Sequence, residues 1–148
     1  MTPNIFISQS EADLERLFGN DFIAHVDGNA AITLRKFYEI IAEVLEIPDF
    51  SFTLEALNDA LNDLQWLEDE RVVLYITNTE TVVSKERDPA KMSSLLNLLD
   101  ATAEDWKWLD DEEQTNRKEL VIVFEDSLRI RQLLDREEIG YDLLAELS

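Results

Sequence analysis

The sequence predicts an α/β fold, a small three-stranded parallel sheet with helices packed on it. Three short runs read as strands, at 22–27, 71–78 and 120–124. Each is separated from the next by helix-patterned segments, and strands joined through helices pair in parallel. At 148 residues and 45% hydrophobic content, the chain has one domain's length and enough apolar side chains for a core.

A first helix is expected over 10–18, with Ser10 at its cap, Asp13 at the capping-box position and Gly19 closing it. The strand 22–27 carries Phe22, Ile23 and Val26 and ends in the turn signal Asp27-Gly28-Asn29. Thr33 then caps a helix to about residue 46, whose Leu34, Phe37, Ile40, Ile41, Val44 and Leu45 recur at helical spacing, and Pro48 ends it. A linker at 49–52 leads to a helix over 53–67, with Leu54, Leu57, Leu61 and Leu64 on one face. The run 71–78 is nearly continuous in apolar residues, as in a strand buried on both faces. Asp88-Pro89 starts a long helix with Met92, Leu95, Leu96, Leu98 and Leu99 inward, reaching Trp106. The polar stretch 108–118 reads as a loop, 120–124 as the third strand, 127–136 as a helix, and 141–147 as a short helical tail after Gly140.

Charge is the strongest functional signal. The chain has 33 Asp and Glu against 13 Lys and Arg, a net charge of -20. Direct nucleic-acid binding needs cations against phosphates, and anionic membranes need the same, so both are disfavoured. A basic protein, or a metal cation, is the natural partner. No apolar run approaches the roughly 20 residues of a membrane span, and the N-terminus predicts no export signal. Cys is absent, which removes disulfides and thiolate sites and suits the reducing cytoplasm.

The acids are clustered. Between positions 37 and 70 there is no Lys or Arg, and ten acids give the segment half of the net charge. Within it Glu55, Asp59 and Asp63 recur at i, i+4, i+8 and form one helical ridge, distinct from the leucine face. Like charges at that spacing destabilise a helix by about 0.2–0.5 kcal/mol per pair, and only Glu55, in the first turn, is favoured by the helix dipole. Asn58 and Asn62 share the exposed side, and Phe50 and Phe52 precede it. Rings and carboxylates together suit a surface that fills a basic groove.

Catalysis finds little support. His25, the single histidine, sits in a strand with no Ser–His–Asp set around it, and three glycines supply no phosphate loop. The run Asp110, Asp111, Glu112 and Glu113 lacks the ligand spacing of a calcium loop, so no metal or cofactor is expected.

The stretch 47–67, IPDFSFTLEALNDALNDLQWL, resembles the barstar family of small ribonuclease inhibitors. The strand ending in Asp27-Gly28, the strand 72–76, the run 95–106 and the strand 120–124 extend the resemblance over about 22–125. It implies one domain over 1–148, with an extra N-terminal helix at 10–18 and a C-terminal helical extension at 127–147. It also implies that the acidic helix and preceding loop enter a ribonuclease active site and exclude RNA. In that resemblance Glu55 and Asp59 match two key carboxylates, Phe50 matches a loop aromatic, and Asp100 or Glu104 matches a further interface acid. The family's loop Gly and Asn are replaced by Ser51 and Thr53, a common helix aromatic by Asn58, and the usual Asp by the longer Glu55. The expected partner surface is Phe50, Phe52, Glu55, Asn58, Asp59, Asn62, Asp63 and Asp100. The expected partner is a basic nuclease, with the chain acting as an immunity protein. The alternative is an acidic binding module or nucleic-acid mimic with a target other than a ribonuclease.

Overall fold

The computed structural model describes residues 3–64, 66–107 and 119–147. The elements run β1 (Ile5–Ser8), α1 (Glu11–Phe18), β2 (Phe22–Asp27), α2 (Leu34–Val44), α3 (Leu54–Asp63), β3 (Arg71–Thr77), α4 (Ala90–Lys107), β4 (Glu119–Glu125), α5 (Leu128–Arg136) and β5 (Tyr141–Leu143), then a 3₁₀ turn, Leu144–Glu146.

All pairings are parallel, but the sheet has five strands rather than three, in the order β2-β3-β4-β1-β5. The three expected strands form one half of it. β1 lies against β4, with Ile5 opposite Ile122 and Ile7 opposite Phe124. β5 lies against β1, so the expected helical tail over 141–147 is instead an edge strand followed by a single 3₁₀ turn. The correction has a physical cause. Four residues between α5 and Tyr141 return the chain to the sheet, where the backbone of Tyr141–Leu143 pairs with β1 rather than with itself.

Side chains alternate across the sheet. Val26, Leu74, Ile122 and Phe124 meet a core formed with α2, α3, α4 and α5, including the fully buried Phe37, Ile41, Leu57 and Leu61. On the other face Val73, Tyr75, Val121 and Val123 are covered by Leu14 and Phe18 of α1 and by Leu144. Burial on both faces explains the continuous apolar runs of β3 and β4. Gly28 is required by close approach: its N–H donates to Thr77 O at 2.8 Å, and a Cβ there would collide with the Asn78 carbonyl oxygen.

The helix expected over 53–67 stops at Asp63, because Leu64 turns into the left-handed region (φ 53°) while keeping its side chain fully buried. Ser10 precedes α1 in extended backbone but makes no side-chain cap; its Oγ donates to Asp13 Oδ2 at 3.4 Å instead. The stretch 108–118, with Trp108 and the acids 110–113, lies outside the described residues.

Candidate functional site

Helix α3 is held by both ends. Thr53 Oγ1 accepts the Ala56 N–H at 3.0 Å and caps the N-terminus. At the other end the buried Trp106 indole donates to Leu61 O at 2.7 Å, satisfying a carbonyl that the helix terminus leaves open. The Trp66 indole donates to Leu45 O at 2.7 Å and ties the chain after α3 to the end of α2. Thus Trp66 and Trp106, which show no cofactor pattern in the sequence, fix α3 in place.

Leu57 and Leu61 point into the core, and the acid ridge is exposed as the spacing requires. None of Glu55, Asp59 and Asp63 has a hydrogen bond or ion pair to another described residue. The ridge divides. Asp59 and Asp63 turn toward the preceding loop and, with Ala56 and Ala60 between them, form one wall of a groove of about 260 Å³. Pro48, Asp49, Phe50 and Trp66 contribute to its other side. Asn58 and Asn62 lie outside this groove, bonded to each other by Asn62 Nδ2 to Asn58 O at 2.9 Å. Glu55 is exposed in the first turn, outside the groove.

The loop before α3 has a shape the sequence does not announce. Glu46, Asp49 and Phe52 have φ of 53°, 52° and 54°, with no glycine among them. A bulky residue in that region is strained and persists only where packing holds it. Here the Phe52 ring packs edge-on to Phe50 at 5.2 Å, and Phe50 edge-on to Tyr38 at 5.8 Å. Tyr38 is buried beneath them, and burial, with Glu86 nearby, pushes its phenol upward.

Asp100 is not brought to this surface. It lies on the flank of α4 facing β1, where Asn4 Nδ2 donates to its carboxylate at 3.0 Å and to Glu104 at 2.7 Å. The opposite flank of α4 carries Trp106 into α3. His25 is exposed on the edge strand β2, with Nε2 2.7 Å from Thr77 Oγ1 and its ring stacked on Tyr75. Among the described residues no cluster of three His, Asp or Glu is placed to hold a metal ion, and no helix is long and apolar enough to cross a membrane.

The sequence pattern of one family, barstar (barnase inhibitor), matches residues 22–125, from the first residue of β2 to the last of β4 and including α3 with its loop. The chain belongs to the barstar family. Strands β1 and β5 lie outside the barstar match and complete a wider sheet. No curated protein sequence matches the chain. Among solved structures, this barstar-family chain is similar in fold to the ORC2 protein of Aeropyrum pernix. In its ADP form the TM-score is 0.57 at 15% identity, covering 96% of this chain and 42% of that one. In its ADPNP-ADP complexes the TM-score is 0.52 at 15% identity, covering 96% and 41%. The barstar-family chain therefore spans about two-fifths of those structures, and the likeness is one of fold.

Proposed function

We propose that this chain is a protein inhibitor of a ribonuclease, which plugs a basic active-site cleft with the ridge of α3 and the aromatic loop before it. The observation that carries the reading is the groove in which Asp49, Asp59 and Asp63 surround Phe50, Trp66 and two alanines. Such a surface accepts cationic side chains: the rings contact their apolar or planar parts, and the carboxylates take the charge that RNA phosphates otherwise meet. Among the described residues none forms an ion pair with Glu55, Asp59 or Asp63, so the field of the ridge is available to steer a basic partner. Glu55 extends the contact along α3, and Phe52 and Asn62 border it. Asp100, held by Asn4, stays outside it.

In this reading residues 1–148 act as a single domain, in the cytoplasm, as the immunity partner of a basic nuclease, without contacting nucleic acid or membrane and without catalysing a reaction. The test is titration of a panel of small basic microbial ribonucleases, barnase among them. The expected result is stoichiometric loss of RNA cleavage by at least one enzyme. Full activity of every enzyme at micromolar protein would contradict the proposal.

A further inference from the structure

The proposed docking surface is not uniformly negative. Arg35, in the first turn of α2, places its guanidinium carbon 4.1 Å from the centre of the Phe52 ring. Its Nε contacts Glu39 Oε1 at 3.4 Å, and the side chain is 63% exposed. Its two Nη groups have no hydrogen-bond partner among the described residues. A guanidinium over a ring is attracted to the ring face and keeps a planar fork of donors pre-oriented for an acceptor.

Position makes this cation consequential. Phe52 immediately precedes the cap of α3, so Arg35 stands at the Glu55 end of the ridge, where the positive helix terminus also lies. Asp63 is eight residues further along, about 12 Å at 1.5 Å per residue. That exceeds the Debye length of about 8 Å at physiological ionic strength, so Asp63 is screened from Arg35. Glu39 offsets part of the Arg35 charge through Nε, but the Nη donors stay open, so the surface is anionic over Asp59 and Asp63 and presents a donor fork at Arg35.

We propose that Arg35 determines which ribonuclease this surface accepts: the enzyme must place a carboxylate beside its cationic cleft to receive the Arg35 Nη donors. The inference rests on the inhibitor reading above. A wholly basic cleft rim would meet Arg35 as a like charge and be repelled, whereas a rim with an acid at that point gains a charge-assisted pair. One residue thus favours one partner and rejects others.

The probe is the ribonuclease of the panel above that the protein inhibits, and the readout is association and dissociation rates for the unaltered protein and for Arg35→Gln, Arg35→Met and Arg35→Lys, with melting curves confirming that each variant is folded. Failure of the protein to inhibit any enzyme of the panel would overturn the inhibitor reading and this inference with it. Given a complex, Arg35→Gln and Arg35→Met are expected to weaken it by about tenfold or more, mainly through faster dissociation, while Arg35→Lys, which keeps the charge but loses the planar fork, is expected to weaken it less than either. Two results would overturn the role of Arg35 alone. One is equal or tighter binding by Arg35→Gln, the sign expected from merely removing a cation from a surface facing a basic enzyme. The other is full affinity in Arg35→Met, which would mean that residue 35 only supports the Phe52 ring.

Discussion

Replacing Asp59 by Ala separates binding from folding more sharply than any other single change on this surface. In the free protein Asp59 is exposed and makes no hydrogen bond or ion pair with a described residue. Its nearest charged neighbours on α3 are Glu55 and Asp63, each four residues away, and each like-charge pair costs about 0.2–0.5 kcal/mol. Removing both repulsions, and gaining the better helix propensity of Ala, raises stability by about 0.5–1 kcal/mol. For a chain of this size that is a rise in Tm of about 1–4 °C. In the proposed complex the same carboxylate is expected to face buried cations, and truncating one partner of such a pair costs about 2–5 kcal/mol, or from about 30-fold to several thousand-fold in Kd. Leu57→Ala is the mirror control. Leu57 is fully buried, so its truncation costs about 2–5 kcal/mol of stability, yet the folded fraction still inhibits. The assays are thermal melts and ribonuclease inhibition for both variants. Undiminished inhibition by Asp59→Ala would show that the ridge is not the inhibitory surface. A fall in its Tm would show that the carboxylate has an internal role.

Two further outcomes follow from the backbone and from charge. Glu46 is exposed just beyond α2 with φ of 53°, so Glu46→Gly removes left-handed strain and is expected to stabilise by about 0.5–1 kcal/mol in denaturant melts; unchanged or lower stability would contradict the strain. Asp126 receives Arg131 Nε at 2.7 Å and Nη2 at 2.9 Å, and these bonds, opposed by partial burial and aided by Gln9, hold its carboxyl below the usual range. A depressed folded pKa contributes stability above the unfolded value of about 3.9 that is lost as pH falls through the folded one. Asp126→Asn is therefore expected to be less stable than the parent by about 1 kcal/mol from pH 8 to 5, with the gap closing below about pH 4; a gap independent of pH would contradict the pairing.

Much of the fold is legible in the sequence because its central elements are locally consistent. β3 and β4 read as strands from their apolar runs, and α2 and α3 from leucine and isoleucine spacing; Thr33 caps α2 as expected, and Thr53, expected inside the helix, caps α3 instead. The two added strands are not legible for the same reason in reverse. Ile5–Ser8 is four residues long, and its partner β4 lies more than 110 residues away, so nothing local marks it. Tyr141–Leu143 sits in a stretch whose leucines are also spaced as in a helix, and pairing with β1 decides it.

At the site, the exposure of Glu55, Asp59 and Asp63 and the burial of Leu57 and Leu61 follow from helical period alone. The groove does not. It depends on Asp49 and Phe52 adopting left-handed backbone without glycine, held by the Tyr38, Phe50 and Phe52 rings. Arg35 is likewise 17 positions before the ring it covers, with no motif linking the two. Asp100 shows the limit of spacing arguments, since which flank of α4 faces α3 is seen only in the tertiary packing, as in the Trp106–Leu61 bond.

The central claim is that the α3 ridge and its loop occupy the place of RNA in a ribonuclease cleft. It is tested most directly by the mode of inhibition, from steady-state RNA cleavage by an inhibited ribonuclease over a range of substrate and inhibitor concentrations. Occupation of the cleft predicts competitive inhibition, with apparent KM rising linearly with free inhibitor and kcat unchanged. A falling kcat at constant KM would place the protein away from the RNA site and contradict the account.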